Sequence, residues 1–399
     1  MTNLDRTEQI AMQGLLATIN GTLGTPLAPE WERAYRTVPR HRFLPTRLWT
    51  GNALVECART SDPETWLRHA YTDIPLVTQL HDSHDSHDSY GGAGGDLRPS
   101  CSAPEPSLVF GMLDMLDVQD GHDVLHIGTG TGWIAGLLAH RLGGGHVTTV
   151  EVDPVLHVQA GIKLQAARLE PVLVEGDGAA GHVPGAPYDR VLATCSVRAV
   201  PRAWLEQTRP GGVILTPWSS PWYDFGLLRL TAHSDGSASG PFSPHGTCTL
   251  MSSQQPTDLS IHRDVVRPEQ LAHLSETKLS PWAVTGEDRA AKFAMGLLLK
   301  DAWWAWHSNS TMDGVAFQLW IATTDAASWA AIDVAERAAD RFTVRQHGPR
   351  RLVDELEAAY AWWEGAGSPG PEQFGMTVTA DGRHIAWLDS PDNIVPARR

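Results

Sequence analysis

From Pro104 to about Pro217 the chain alternates between two hydrophobic rhythms. EPSLVFGMLDML spaces its apolar residues along one helical face, DVLHI is a short apolar run ended by glycine, and WIAGLLAHRL returns to helical spacing. HVTTVEV, PVLVEG, YDRVLATCS and GGVILTPW read as further strands, with PVLHVQAGIKLQAARL and PRAWLEQT as helices between them. Strands alternating with helices of this length predict right-handed β-α-β units and a mostly parallel, doubly wound α/β sheet. A ligand of such a sheet sits beyond the carboxyl ends of its strands.

The flanks follow other patterns. Residues 4–20 are helix-like, 28–45 predict a short helix ended by Pro39, and 69–80 an extended segment. HDSHDSHDSYGGAGGD (81–96) is too polar and glycine-rich to pack and predicts a mobile loop. Beyond Trp218, FGLLRLTA and GPFSPHGTCTLM are expected to add antiparallel strands at the sheet edge. A second α+β unit is expected from about residue 260. In it RAAKFAMGLLLKDAWWAW, SWAAIDVAERAADRF and RRLVDELEAAYAWWEG read as helices and VAFQLWIA as a strand. GMTVTADGRHIAWLD reads as a hairpin turning at Asp381-Gly382. The expected division is an N-terminal helical and loop region (1–103), a sheet domain (104–235) and a C-terminal extension (236–399).

Composition narrows the function classes. A chain of 399 residues with 42% apolar and 19% charged residues is an ordinary globular composition. No apolar run is long enough for a membrane span, and the N-terminus lacks the pattern of a signal peptide. Cys57, Cys101, Cys195 and Cys248 show no paired spacing, which fits a cytoplasmic location. The net charge of −15 argues against a nucleic-acid partner and favours a neutral or basic one, such as a peptide. Sixteen tryptophans allow either an aromatic-rich core or aromatic platforms for an extended ligand. His81, His84 and His87 stand at three-residue spacing, but no carboxylate or cysteine ligand set accompanies them, so no metal is expected.

The candidate chemistry centres on Gly128-Thr129-Gly130-Thr131-Gly132, which follows a strand and opens a helix. Glycine permits the tight turn and lets a ligand approach backbone N–H groups. Glu151, 19 residues past Gly132, ends the next strand, where a carboxylate can accept both ribose hydroxyls. One strand later, Glu175-Gly176-Asp177-Gly178 places Asp177 where it suits an adenine amino group. A dinucleotide fingerprint would read G-x-G-x-x-G; here the third glycine comes one residue early and no 2′-phosphate arginine is evident. Adenosine without a phosphate fits better, and S-adenosylmethionine is the expected cofactor, with a dehydrogenase site as the alternative.

Several stretches then resemble the protein-L-isoaspartate O-methyltransferase family over roughly residues 30–235. They are AYRTVPRHRFLP (34–45), AYTDIPL (70–76), RPSCSAPEPSLV (98–109), VLHIGTGTGW (124–133), VEVDP (150–154), EGDG (175–178) and YDRVLATCSVRAVPRAWLEQTRPGGVILTP (188–217). The resemblance implies a Rossmann-like class I methyltransferase fold with N-terminal helices and methylation of an aspartyl or isoaspartyl carboxylate. It assigns Gly128, Thr129, Gly130, Gly132, Glu151, Asp177 and Gly178 to the cofactor. Ser102 resembles the serine that hydrogen-bonds the acceptor carboxylate, and Ser100 its neighbouring hydroxyl; Ser102 also reads as an N-cap for EPSLVFGML. Ala103 stands in place of the usual glutamine, and the histidine-rich insert replaces a glycine-rich segment. His126 stands where the family carries Glu or Asp, with a ring able to hydrogen-bond loop amides.

About 160 residues lie beyond the family's usual length. Extended relatives resemble those encoded with ribosomally made, post-translationally modified peptides such as graspetides, lanthipeptides and lasso peptides. The resemblance therefore implies methylation of an aspartate in a macrocyclic peptide, leading to aspartimide or isoaspartate. General isoaspartate repair and a non-catalytic peptide-binding protein are the alternatives.

Overall fold

The computed structural model describes residues 5–82, 97–244, 246, 248–255, 259–308 and 312–396. His84 and His87, and with them most of the polar insert, lie outside the described residues; His81 falls in a strand. Among the described residues no cluster of potential metal ligands forms.

Asp5 caps α1 (Arg6–Leu23) in a reciprocal pair with Glu8. α2 (Pro29–Thr37) opens on a proline and stops short of Pro39. Then come β1 (Arg47–Thr50), β2 (Val55–Ala58), α3 (Pro63–Ala70), β3 (Leu76–Asp82) and β4 (Leu97–Ala103). They build a small antiparallel sheet in the order β2-β1-β3-β4. The extended segment expected over 69–80 begins only at Leu76, because Asp62 caps a helix that runs to Ala70.

The fully buried Arg40 ties this region together. Its guanidinium donates to the carbonyls of Ala70, Thr72, Ile74 and Pro104 at 2.9–3.3 Å and lies 5.7 Å from the Trp133 ring. Burial lowers its pKa to about 10, a drop that the nearby Asp73 opposes, so it stays charged near neutral pH. One side chain thus gathers three sequence stretches that lie far apart along the chain.

The sheet domain contains α4 (Pro106–Leu116), β5 (Val124–Ile127), α5 (Trp133–Leu142), β6 (Val147–Glu151), α6 (Pro154–Ala166) and β7 (Val172–Glu175). β8 (Tyr188–Ala193), α7 (Arg202–Glu206), β9 (Thr208–Pro217), β10 (Leu227–Ala232) and β11 (Ala238–Ser243) follow. The remaining chain forms β12 (His273–Thr277), α8 (Pro281–Thr285), α9 (Arg289–Leu298), β13 (Ala302–His307), β14 (Phe317–Thr323), β15 (Trp329–Val334) and β16 (Phe342–His347). It closes with α10 (Leu352–Gly365), β17 (Phe374–Val378) and β18 (His384–Leu388).

The main sheet has nine strands in the order β18-β17-β11-β10-β9-β8-β5-β6-β7. From β9 to β7 all neighbours are parallel; from β9 to β18 all are antiparallel. The strand order reverses at β5, which opens a crevice at its carboxyl end. A second, five-stranded antiparallel sheet runs β12-β16-β15-β14-β13. The division expected after residue 235 falls between β10 and β11, neighbours in one sheet, and the terminal hairpin widens that same sheet.

Of two expected helices, one is a strand in its second half and the other contains a strand. RAAKFAMGLLLKDAWWAW is helical only through Leu298; Asp301, at φ 56°, turns the chain and AWWAWH becomes β13. SWAAIDVAERAADRF contains β15, a central strand whose six residues are all buried. A short, fully buried strand has no alternation to show, so its apolar run reads like a buried helix segment.

None of the sixteen tryptophans is exposed: ten are buried and six half-buried. Phe293 of α9 packs against Trp218, Phe242 and Phe374 with ring centroids 5.0–5.8 Å apart, joining the extension to the main sheet. No helix among the described residues is long and apolar enough to cross a membrane.

Candidate active site

The crevice at the carboxyl ends of β5 and β6 is a cleft lined by both polar and apolar side chains, the place where a ligand of such a sheet binds. One wall comes from successive βα turns. It holds Gly128, Thr129 and Gly130 after β5, Glu151 ending β6, Asp177 and Gly178 after β7, and Thr194 and Cys195 after β8. The opposite wall comes from β4, with Ser100, Cys101, Ser102 and Ala103, and from Thr249–Ser252 beyond β11.

Gly128, Gly130 and Gly132 all have positive φ, from 53° to 89°. Gly132 lies one step behind the cleft as the first residue of the turn into α5; a Cβ there would come within 3.2 Å of Ala160. Gly178 serves a different need: a Cβ would stand 2.4 Å from Ile127 Cγ2, so only glycine lets this loop close on β5.

Glu151 is buried, and its carboxylate accepts Gly130 N–H at 2.7 Å on one oxygen and Asp153 N–H at 3.1 Å on the other. A carboxylate has about four acceptor positions, so two remain for a diol. Asp177 Oδ1 accepts Ala179 N–H and the Ser253 hydroxyl, while Oδ2 has no partner among the described residues. The glycine cradle, the paired acceptor positions on Glu151 and the free oxygen of Asp177 fit an adenosine-bearing cofactor. Burial pushes the Cys101 thiol up to about 11 and the Cys195 thiol to about 12. Both stay neutral near pH 7, so neither presents a competing thiolate nucleophile.

His126 is fully buried beneath this loop, and desolvation alone lowers its pKa to about 3, so it is neutral. Its partners are not loop amides, as its sequence position led us to expect, but two threonine hydroxyls. Nδ1 lies 2.9 Å from Thr149 Oγ1, and Nε2 lies 3.1 Å from Thr194 Oγ1. Thr194 donates to Gly128 O at 3.0 Å, so it accepts from His126 Nε2–H. Thr149 then donates to Nδ1 and accepts from Thr129 Oγ1 at 2.7 Å. One neutral imidazole thus braces the glycine loop from both sides, a role the sequence did not disclose.

Ser102 is not a helix cap. It lies on β4, and α4 starts after Glu105, with Ser107 N–H donating to Asp73 instead. The Ser102 hydroxyl pairs with Thr249 Oγ1 at 3.1 Å. Ser100 donates to Gln79 Oε1 at 2.7 Å, and Gln79 donates to Asp153 at 2.9 Å, which links the β4 arm to the start of α6. Sequence reasoning missed Thr249–Ser252, which have no local signal; Leu250 is held by a parallel bridge to Ser196.

Comparison with known proteins identifies the family and the fold. Residues 51–239 match the model of the protein-L-isoaspartate(D-aspartate) O-methyltransferase family. The chain is 29% identical over 221 residues to the protein-L-isoaspartate O-methyltransferase of Methanosarcina mazei, covering 55% of this chain and 74% of the relative. It is 32% identical over 189 residues to that of Methanococcus maripaludis, covering 47% and 72%. A solved protein-L-isoaspartate O-methyltransferase superposes with a TM-score of 0.53 at 19% identity, covering 95% of this chain and all of the other, so the likeness in fold runs into the extension. With a Rossmann-like class I methyltransferase sheet, the chain belongs to the protein-L-isoaspartate O-methyltransferase family and is an S-adenosylmethionine-dependent carboxyl methyltransferase, not a binding protein with a relic site.

Proposed function

We propose that the acceptor is an aspartate side chain in a macrocyclic, ribosomally made and modified peptide, and that the ester closes to an aspartimide that can open to isoaspartate. The observation that carries this reading is the Ser102–Thr249 contact: chain beyond the family match at 51–239 reaches the acceptor wall. Ala103 in place of glutamine and the altered 81–96 segment point the same way, towards an acceptor of its own kind. The charge of −15 favours a neutral or basic peptide. The unpaired cysteines support a cytoplasmic setting.

In this reading Gly128, Thr129, Gly130, Glu151, Asp177 and Gly178 hold S-adenosylmethionine, which supplies a methyl group carried on a sulfonium, and Gly132 shapes the turn behind them. Ser102, with Ser100 behind it, positions the acceptor carboxylate. An aspartate is already ionised near pH 7, so the site needs no strong base. Attack of a carboxylate on a sulfonium cancels charge, and a cleft that excludes water removes the solvation that would oppose it. Alignment of the two partners supplies most of the rate.

The competing reading is repair of isoaspartyl residues in damaged proteins, favoured by the names of the relatives and by a solved relative that spans the extension. Incubation with S-adenosylmethionine and either a linear isoaspartyl peptide or a cyclised precursor separates the two. Tailoring predicts a gain of one methyl and then a net loss of water on the cyclised peptide alone. Efficient turnover of the linear peptide contradicts it.

A further inference from the structure

The cleft brings together two hydroxyls separated by 147 residues of chain, Ser102 on β4 and Thr249 after β11, at 3.1 Å. Among the described residues each hydroxyl has the other as its hydrogen-bond partner. The Thr249 segment is firmly held. Ser196 N–H donates to Thr249 O at 2.9 Å, Met251 N–H donates to Ser196 O at 2.9 Å, and Ser196 Oγ donates to Cys248 O at 2.8 Å. Cys248 N–H donates back to Ser196 Oγ at 3.2 Å. Ser196 is one residue from Cys195, which lines the cleft. The backbone that carries Thr249 is therefore fixed relative to the cofactor wall by the same loop that helps form it.

We propose that Thr249 is a second ligand of the acceptor carboxylate, so that Ser102 and Thr249 form a two-pronged hydroxyl fork. The proposal rests on the reading of Ser102 as the acceptor-binding serine. A hydroxyl is both donor and acceptor, so an empty fork satisfies itself through one neutral hydrogen bond. An entering carboxylate replaces that bond with two charge-assisted ones, one to each oxygen, each roughly twice as strong as a neutral bond. Both oxygens keep further lone pairs. One of them forms the new O–CH3 bond as the S–CH3 bond breaks with its electron pair passing to sulfur. No proton moves, and the carboxylate and sulfonium charges cancel. The methyl ester is uncharged and a weaker acceptor, so the fork returns to its internal pair and the product leaves.

The family match ends at residue 239, so the fork joins one prong from inside the match to one from the extension. That makes the extension part of the acceptor site itself.

The test uses the full chain, a linear isoaspartyl peptide and the cyclised precursor, following whichever peptide is methylated. Thr249→Val keeps the shape and removes the hydroxyl. It is expected to lower kcat/KM for the peptide about tenfold while leaving S-adenosylmethionine affinity unchanged. Thr249→Ser is expected to restore the rate to within about threefold, since it returns the hydroxyl. Ser102→Ala combined with Thr249→Val is expected to cost less than the product of the single effects, because the two groups share one ligand. Wild-type kcat/KM in Thr249→Val with Ser102→Ala impaired overturns the fork and leaves Ser102 in place. A Ser102→Ala variant at wild-type rate overturns the Ser102 reading and the fork together.

Discussion

The two walls of the cleft are built in opposite ways. The wall proposed to hold the cofactor is a series of neighbouring βα turns, each delivering its residue at the end of its own strand. The wall proposed to hold the acceptor is assembled from β4 and a segment after β11, joined by a side-chain contact across 147 residues. A wall made of local turns is stable wherever the sheet is stable. A wall made of distant segments depends on whatever holds those segments in place. Here that is Arg40, which anchors Pro104 beside the β4 arm, and Ser196, which anchors Thr249.

The largest expected effect follows from Arg40. Arg40→Leu leaves carbonyls of Ala70, Thr72, Ile74 and Pro104 without a donor and removes the charge above Trp133. A loss of about 3–5 kcal/mol in urea unfolding is expected. A loss below about 1 kcal/mol would mean that the acceptor arm is held some other way.

Glu151→Ala attacks the other wall. It removes the acceptor of Gly130 N–H and Asp153 N–H together with the positions left for a ribose. S-adenosylmethionine affinity measured by calorimetry should fall about 100-fold, or roughly 2.7 kcal/mol.

His126 gives a smaller, pH-dependent signature. Its folded pKa of about 3 lies below the usual value of about 6.5, so the unfolded chain binds the proton first as pH falls. The stabilisation from the neutral ring is complete above about pH 6.5 and is lost progressively towards pH 3. Between pH 7 and pH 5 this loss amounts to about 2 kcal/mol. Unfolding of His126→Gln, compared with wild type at both pH values, should show a slope shallower by that amount. Identical slopes would show that the imidazole is not held neutral beneath the loop.

The same contrast explains what could be read from the amino-acid sequence. That Gly128, Gly130, Glu151 and Asp177 come together on one side of a cleft was legible because strand, turn and helix signals sit next to the residues they position. Gly132 also stood out, but it lies behind the cleft, where its left-handed φ of 89° and the close approach of Ala160 favour glycine. Ser102 was found by resemblance, and its reading as a helix cap failed because β4 runs to Ala103 and α4 begins only after Glu105. Thr249 could not be found, because nothing local marks a residue whose partner lies 147 positions away. β15 was misread as a helix because a central strand buried on both faces has no polar alternation.

The most direct test of the two-wall account is a crossed measurement on Ser102→Ala and Glu151→Ala, with cofactor affinity and peptide kcat/KM determined for both. Ser102→Ala should bind S-adenosylmethionine as wild type does while kcat/KM for the peptide falls about 100-fold, roughly 2.7 kcal/mol of transition-state stabilisation. Glu151→Ala should lose cofactor affinity first. If Ser102→Ala instead weakens cofactor binding and leaves methyl transfer at saturating cofactor unchanged, the β4 wall does not hold the acceptor.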